Sequence, residues 1–260
     1  MTIGVVAVTG AASGIGLALA CEAIERGYSV AAFDQNQPAL ASLQAKLGPD
    51  RCRICHGDVT SDADLERFSD TVMAFGRPLR LAFANAGVLR AGKVLDQPIA
   101  DIEQMLAINL VGAIRTARAL VPLMLSQIDP SIFVFTGSSS MLLASPGYAG
   151  YAASKHGLLA MAEALDAELA LANASVRTAV LCPAAVQTGI ADGDTPLLAR
   201  LQLRMQSHGI SAQRLSQIAF DRLAAGERVI FSSDLTKDSA RARFDALLGG
   251  DYGRQQTEPT

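Results

Sequence analysis

The sequence lacks the features that would direct the chain to a membrane, a nucleic acid or the secretory route. Half of its residues (50%) are hydrophobic, yet no uninterrupted apolar segment is long enough to span a bilayer. A net charge of -3 without a basic run offers no footprint for nucleic acid or anionic lipid. Residues 1–4 contain neither a basic region nor a small-residue cleavage site. We therefore expect a cytoplasmic protein with no nucleic-acid partner and no membrane partner.

Cysteine is also sparse, with four residues in the chain, and two of them form a C-x-x-C-H string that ends at His56. Cys52 and Cys55 are three positions apart on what reads as a β-strand, so their side chains should point to opposite faces. Such a pair cannot easily share a haem or a metal. We predict ordinary buried thiols and no metal site.

Short β-branched runs alternate with longer helical patterns, which is typical of βαβ units around a parallel sheet. The 260 residues contain no repeat and no linker. We predict an α/β fold with a single Rossmann-type, doubly wound domain over residues 1–260, with about seven parallel strands and helices on both faces. Strands are expected at 3–9, 28–33, 51–57, 79–84, 132–137, 176–181 and 228–231, and the longest helices at 99–125 and 151–171.

Two segments depart from this alternation. Residues 184–210 are too long for an ordinary connection and include a leucine-rich stretch, so we expect them to form a substrate lid. Residues 249–260 are polar and rich in glycine, which predicts a disordered tail.

Three glycines follow the first predicted strand and open the first predicted helix: Gly10, Gly14 and Gly16. Glycine lets the backbone turn sharply and approach a pyrophosphate, whose charge the helix N-terminus can bind. An ordinary tight turn is the alternative. The position of the turn after a buried strand, with Asp34 at the distance typical of a ribose-binding carboxylate, favours a dinucleotide site.

Asp34 ends the second predicted strand, where its carboxylate can accept hydrogen bonds from ribose hydroxyls and would repel a 2′-phosphate. No arginine or lysine stands at Ser13 or Gln35 to bind such a phosphate. We therefore expect the cofactor to be NAD rather than NADP, with a solvated strand-end aspartate as the alternative.

Tyr151 and Lys155 lie four positions apart on a predicted helix, hence on one face. A free tyrosine has a pKa of ~10, and a neighbouring cation stabilises the phenolate and lowers that pKa. By itself such a pair can be an ordinary surface pair. Ser138, however, follows the strand 132–137, at the sheet edge where parallel sheets bind ligands, and its hydroxyl could hold a substrate oxygen.

The glycine turn, Asp34, Ser138 and the Tyr151–Lys155 pair together resemble the short-chain dehydrogenase/reductase family, in its ordinary single-domain branch, over nearly the whole chain. Further matches are Asp58-Val59, Asn85-Ala86-Gly87 and Asn109. The sequence departs from the family pattern at Ala84, where asparagine is frequent, and at Ala184, where glycine is usual in the segment that binds nicotinamide.

The resemblance implies a catalytic tetrad in which Tyr151 is the general acid/base, Ser138 orients the substrate oxygen, Lys155 lowers the tyrosine pKa and binds the nicotinamide ribose, and Asn109 holds a water at a helix irregularity. Tyr148 is excluded as the base because Ala152, not lysine, stands four positions beyond it. The implied cofactor-binding residues are Gly10, Ser13, Gly14, Ile15, Gly16, Asp34, Asp58, Val59, Asn85, Ala86, Gly87, Tyr151, Lys155, Pro183, Val186 and Thr188.

The resulting hypothesis is an NAD-dependent oxidoreductase that acts on a small secondary alcohol or ketone. The family also implies a homodimer or homotetramer. A non-catalytic NAD-binding regulatory protein and a sugar-nucleotide epimerase or dehydratase are the alternatives. Hydrophobic residues after Ser138 and in the lid favour an apolar or cyclic substrate. They are Met141, Leu142 and Leu143, and, in the lid, Leu197, Leu198, Leu201, Leu203 and Met205. The alternative is that the lid residues only pack the lid against the core.

Overall fold

The computed structural model describes residues 3–252, in which strands and helices alternate. The strands are β1 (Val5–Thr9), β2 (Ser29–Asp34), β3 (Cys52–His56), β4 (Leu79–Ala84), β5 (Ser131–Thr136), β6 (Val176–Cys182), β7 (Val186–Gln187), β8 (Ile210–Ser211) and β9 (Val229–Phe231). The α-helices are α1 (Gly14–Glu25), α2 (Gln37–Leu47), α3 (Asp62–Met73), α4 (Ile99–Met105), α5 (Gly112–Leu125), α6 (Ala149–Leu171), α7 (Pro196–His208), α8 (Ala212–Ala224) and α9 (Asp234–Leu248).

The main sheet has seven parallel strands in the order β3-β2-β1-β4-β5-β6-β9. Helices α1, α2 and α8 pack on one face, and α3, α5 and α6 pack on the other. The chain builds outward from β1 in one direction and then continues from β4 in the other, so a crevice opens at the carboxyl ends of these two strands. The predicted doubly wound α/β fold with seven strands is confirmed.

Several helices begin where a short polar side chain caps the backbone. The side chains of Asn36, Ser61, Thr195 and Ser211 each accept a hydrogen bond from a backbone N–H in the first turn of α2, α3, α7 and α8, respectively. Such caps stabilise a helix by about 1 kcal/mol. They fix where each helix starts relative to the strand or loop before it.

The cysteines of the C-x-x-C-H string point to opposite faces of β3, as predicted. Cys52 packs with the helices of one face, whereas Cys55 packs with those of the other. All four cysteines are free, and burial raises the pKa of Cys52 to about 12. Within residues 3–252, no group of three or more His, Cys, Asp or Glu residues could hold a metal ion.

The helix predicted at 99–125 is continuous but not uniform, because residues Leu106–Val111 form a π-helix between α4 and α5. By length and composition alone this 27-residue stretch could cross a membrane, with a mean hydropathy of 1.4 in its most apolar window. Its α5 part buries a stripe of side chains against the sheet. A core helix of this kind can be as long and as apolar as a membrane-spanning helix. The stretch is therefore weak support for a membrane span.

The segment predicted as a lid has its own structure. It contains β7, a short 3-10 turn at Gly189–Ala191, and α7, and β7 pairs in parallel with β8 just after it. The tail predicted at 249–260 follows α9, which ends at Leu248, and its first residues form a turn. Residues 253–260 of this tail lie outside the described part of the chain.

Candidate active site

The turn after β1 is shaped by glycines at positions where a side chain would not fit. Gly10 has a φ of +67°, and a Cβ there would lie 2.9 Å from the Cα of Ala86. A Cβ at Gly16 would overlap the carbonyl group of Gly10. The turn leads into α1, whose N-cap residue Ser13 makes no side-chain capping bond. The first N–H groups of α1 are therefore free to bind an anion.

The carboxyl ends of β1 and β4 are tied together by side chains. The Thr9 hydroxyl oxygen accepts hydrogen bonds from the backbone N–H groups of Asn85 (3.0 Å) and Ala86 (3.2 Å). The Asn85 amide donates in turn to the carbonyls of Thr9 (3.1 Å) and Gly10 (3.3 Å). These bonds place the predicted Asn85-Ala86-Gly87 segment directly against the glycine turn.

The two predicted acidic residues lie at the ends of β2 and β3. Asp34 accepts hydrogen bonds from the backbone N–H groups of Ala12 (3.0 Å) and Asn36 (2.9 Å), which leaves lone pairs for further donors. Asp58 accepts one from the Thr60 N–H at 2.8 Å. The side chain of Val59 is buried in the core on one face of the sheet, and Ile15, in the first turn of α1, is half-buried against the core on the other face.

Asn109 lies within the π-helix and is buried. Its Oδ1 accepts from the backbone N–H of Val88 at 2.8 Å, and its Nδ2 donates to the Val88 carbonyl at 2.9 Å and to the Ser154 hydroxyl at 3.1 Å. Ser154 donates to the Tyr151 carbonyl at 2.7 Å. The helix irregularity predicted at Asn109 is therefore present, and it links the segment after β4 to the start of α6.

Ser138, Tyr151 and Lys155 come together at the carboxyl end of β5. The Ser138 hydroxyl lies close enough to the Tyr151 phenol to act on its pKa, and the Ser138 Oγ accepts a hydrogen bond from the Ser140 N–H at 3.1 Å. The Lys155 Nζ lies 5.7 Å from the centre of the Tyr151 ring and donates to the Thr136 carbonyl at 2.8 Å. Gly87 borders this group, because a Cβ there would lie 3.7 Å from the Lys155 Nζ. The geometry thus unites the four predicted tetrad residues around one crevice.

The electrostatics of the pair are dominated by burial. Burial raises the pKa of Tyr151 to about 12, and the nearby Ser138 hydroxyl opposes this rise. Burial lowers the pKa of Lys155 to about 8. The phenol is therefore protonated at neutral pH in this state. Lys155 is not among the causes of the shift in the Tyr151 pKa in this structure, so the lowering of that pKa by Lys155 stays a prediction.

The segment after β6 lies across the crevice from the glycine turn. The methyl group of Thr188 would lie 3.3 Å from a Cβ at Gly14, and the Pro183 carbonyl accepts a hydrogen bond from the Ser139 N–H at 2.7 Å. Val186, in β7 of the same segment, is buried in the core. Ala184 does not adopt a positive φ, and its N–H donates to the Ser232 hydroxyl at 2.8 Å. Alanine is thus accommodated where the family usually has glycine.

Helix α7 covers Tyr151. Leu198 and Leu201 pack with Tyr148, Tyr151 and residues of the β4–α4 connection in a small apolar cluster. The Tyr148 hydroxyl donates to the Leu197 carbonyl at 2.7 Å, so Tyr148 holds the lid and does not join Ser138. Of the other residues expected at an apolar pocket, Met205 is buried, Leu203 is 66% exposed, and Met141 and Leu142 belong to the main core.

Sequence reasoning did not identify several residues that support the site. Thr9 directly precedes the glycine turn, and Ser154 lies between Tyr151 and Lys155, so the sequence could have indicated that both residues are near the site. Arg243 gave none: it lies on α9 and donates to the Leu142 carbonyl at 2.8 Å, across 101 positions of sequence. This bond attaches α9 to the loop that begins at Ser138.

Comparisons with known proteins find relatives over most of the chain. A family model described as short chain dehydrogenase matches residues 4–196. The 1-deoxy-11-beta-hydroxypentalenate dehydrogenase of Streptomyces exfoliatus is 32% identical over 245 residues, covering 92% of this chain and 86% of that protein. An uncharacterised NAD-dependent oxidoreductase of Mycobacterium tuberculosis is 42% identical over 113 residues, or 43% of this chain and 41% of that protein.

Solved structures share the whole fold. A short chain dehydrogenase/reductase of Burkholderia phymatum, in complex with NAD, superposes with a TM-score of 0.91 at 26% identity and covers 100% of this chain and 98% of that one. A short chain dehydrogenase of Burkholderia cenocepacia, in complex with NADP, reaches a TM-score of 0.79 at 23% identity over 96% of this chain and 97% of that one. The latter likeness concerns the fold alone.

Proposed function

Because the chain belongs to the short chain dehydrogenase family, we propose that it is an NAD-dependent oxidoreductase that interconverts a secondary alcohol and its ketone, with Tyr151 as the general acid/base. The observation that carries the proposal is the closeness of the Ser138 hydroxyl to the buried Tyr151 phenol at the carboxyl end of β5, with Lys155 on the same helix face as Tyr151. A substrate oxygen placed between these hydroxyls would meet both a hydrogen-bond donor and a proton source.

The residues of the crevice fit a dinucleotide. The glycine turn leaves no room for side chains, and the N-terminus of α1 lacks a side-chain cap, so backbone N–H groups are available to a pyrophosphate. Asp34 supplies acceptors suited to ribose hydroxyls at the end of β2. The NAD complex of the Burkholderia phymatum relative, and the relative named an NAD-dependent oxidoreductase, support this choice. When bound, the nicotinamide would accept or donate the hydride.

The chain's own residues then move the proton. In ketone reduction the protonated Tyr151 hydroxyl donates to the substrate oxygen, and its raised pKa keeps it in the required state at neutral pH. Ser138 holds the same oxygen. In alcohol oxidation Tyr151 must instead act as a base, and the Lys155 ammonium favours its phenolate by charge. Asn109 fixes the backbone around Lys155 through Val88 and Ser154.

The walls around Tyr151 favour an apolar skeleton in the substrate. Leu89, Met105 and Leu198 pack with Tyr151 in the small apolar cluster, and α7 closes over it. A ring or branched chain of similar volume could replace part of this packing when α7 moves. Relatives named dehydrogenases, and the Ser138–Tyr151 pair itself, favour this reaction over a regulatory role or sugar-nucleotide epimerisation.

We also propose that the chain is a single catalytic domain that forms a homodimer or homotetramer through α5 and α6. These helices border a groove of about 330 Å³ that includes Ile114, Val121 and Met161. Met161, which lines this groove, is 39% exposed. A cytoplasmic location, as expected from the sequence, stays part of the proposal.

Substitution of Tyr151 tests the mechanism. Tyr151→Phe should reduce NAD-linked turnover of a panel of cyclic secondary alcohols by about 10²–10⁴-fold, the usual contribution of a general acid/base, while NADH binding stays intact. Lys155→Ala should weaken both turnover and NADH binding. The matched control is Tyr148→Phe, which removes the bond to the Leu197 carbonyl but should keep substantial turnover. A Tyr151→Phe protein that retains most of its activity would overturn the mechanism.

A further inference from the structure

Three of the segments around Tyr151 contain no carboxylate, whereas α4, which supplies Met105 to the same apolar cluster, holds Asp101 and Glu103. Residues 79–95, 130–162 and 196–208 include β4, β5, the start of α6 and all of α7, and none of them holds an Asp or Glu. The whole chain has 25 acidic and 22 basic residues, so this absence runs against its net charge. The same segments contain Arg90 and Lys93 beyond β4, and Arg200 and Arg204 on α7.

Arg200 and Arg204 lie on the same side of α7 as Leu197, which contacts the start of α6 next to Tyr151. Successive residues of an α-helix are about 100° apart, so Arg200 and Arg204, three and seven positions after Leu197, lie on its flank of α7. The Leu197 side chain lies against Gly147, where a Cβ would approach its Cδ1 to 2.8 Å, and the Leu197 carbonyl accepts from Tyr148. Both guanidinium groups also act to lower the pKa of Tyr148, consistent with their positions beside it.

The acidic residues before α7 approach its other flank. Asp192 accepts a hydrogen bond from Gln202 at 3.2 Å, and Gln202 is about 140° around the helix from Leu197. Arg200 and Arg204 are exposed, and neither forms a salt bridge with another described residue. The two cations therefore border the apolar cluster at Tyr151 without a salt-bridge partner among residues 3–252.

A third cation follows from the backbone next to Tyr148. The Gly92 N–H donates to the Gly147 carbonyl at 2.8 Å, and Gly92 and Tyr148 form an isolated parallel bridge. Lys93 comes directly after this bridge and is exposed. The loop after β4 thus brings Lys93 next to Tyr148, together with Asp96, whose N–H donates to the Lys93 carbonyl at 3.0 Å.

We propose that Arg200 and Arg204 form an anion-binding subsite at the rim of the Tyr151 pocket, so that the preferred alcohol or ketone has an apolar skeleton with an anionic oxygen group at the end remote from the reacting carbon. This inference rests on the proposed function. The group is a carboxylate or a phosphate ester, since the planar guanidinium matches both. The apolar cluster takes the skeleton and Tyr151 meets the hydroxyl or carbonyl, while the exposed arginines take the charge.

Binding measurements separate this subsite from catalysis. NADH is first titrated into the protein by calorimetry. Cyclohexanecarboxylate, cyclohexyl phosphate and the neutral cyclohexanecarboxamide are then titrated into the NADH-saturated protein. At least one of the anions should bind about tenfold or more tightly than the amide, as for a charge-assisted contact. Raising the salt to about 1 M should reduce this difference, because the Debye length falls to about 3 Å.

Variants assign the preference to the two arginines. The Arg200→Ala/Arg204→Ala protein should lose the preference for the anions and keep its affinity for the amide and for NADH. The Arg200→Lys/Arg204→Lys protein should retain most of the preference, which a purely structural role would not require. Arg214→Ala is the matched control, because Arg214 is an exposed arginine on α8.

The outcomes distinguish the subsite from the proposed function. Failure of NADH to bind contradicts the proposed function. In that case the subsite is tested separately, by comparing the binding of cyclohexanecarboxylate and of the amide to the protein without NADH. Equal binding of the anions and the amide, no binding of either anion, or a preference that survives in the double alanine variant would each overturn the subsite. The tighter of the two anions identifies the group.

Discussion

At the carboxyl edge of the sheet, the half of the site beside β1 and β2 is held by bonds between strand ends. The half beside β5 and β6 has such a bond between Ser139 and Pro183, but it also depends on elements outside the sheet. In the first half, Asp34 bonds to the glycine turn at Ala12, and Asn85 bonds to Thr9. In the second half, α7 bonds to Tyr148 and α9 bonds to the loop after Ser138. The first half is therefore fixed by the sheet itself, and the second can adapt with its helices.

This difference separates cofactor choice from substrate choice. Strand ends in a packed sheet have little freedom, so the glycine turn and Asp34 present nearly the same surface before and after binding. The lid is attached through a few hydrogen bonds and one apolar cluster, so a substrate can displace it at modest cost. Substitutions in the two halves should therefore change different kinetic constants.

Of the substitutions that compare the two halves of the site, Asp34→Ala, in the half beside β1 and β2, should have the largest effect. Asp34→Ala removes the carboxylate that would bind ribose and repel a 2′-phosphate, as well as its bond to the Ala12 N–H. The dissociation constant for NADH should rise about tenfold, as for one lost charge-assisted hydrogen bond, and that for NADPH should fall. Fluorescence titration of both cofactors measures the change, with Glu66→Ala as the control because Glu66 is an exposed acid on α3. Unchanged discrimination between the cofactors would contradict the role of Asp34.

A smaller effect is expected at Arg243, in the other half. Arg243→Ala breaks the 2.8 Å bond to the Leu142 carbonyl and frees the loop that carries Ser138. Because the arginine is only half-buried, kcat for alcohol oxidation should fall about three- to tenfold, equivalent to roughly 1 kcal/mol, with NADH affinity unchanged. Arg243→Lys should restore part of the rate.

Arg241→Ala provides the control for Arg243, since Arg241 is an exposed arginine on the same helix. It should leave kcat unchanged. A loss of NADH affinity in Arg243→Ala equal to its loss of kcat would break the comparison, because α9 would then support both halves of the site.

The smallest effect is expected at Ala184, between the halves. Its φ is not positive, so the glycine usual in the family brings no conformational advantage at this position. Ala184→Gly should destabilise the protein by about 0.5–1 kcal/mol through the greater freedom of the unfolded chain. Urea unfolding with and without saturating NADH measures this change. A stabilised Ala184→Gly protein would show that alanine strains the loop.

The same division explains what the sequence could predict. The seven strands of the sheet were located from their apolar runs, and the observed ends differ from the predicted ones by only a few positions. The glycine turn and Asp34 were recognisable because they follow strands at fixed distances. The bond from Arg243 to Leu142 joins residues 101 positions apart, and no local pattern encodes it. The hydrophobic run at 141–143 was ambiguous, because Met141 and Leu142 fill the core and not the pocket.

The π-helix at Leu106–Val111 sets the rotational phase between two parts of one helix. A π turn holds about one residue more than an α turn, so the segment after it is rotated by about 100° relative to an uninterrupted α-helix. In the observed phase Asn109 meets Val88 while Leu120 and Met124 of α5 face the sheet. Deleting one residue here would give a more regular helix. That helix could place Asn109 against Val88, or Leu120 and Met124 against the sheet, but it could not make both sets of contacts.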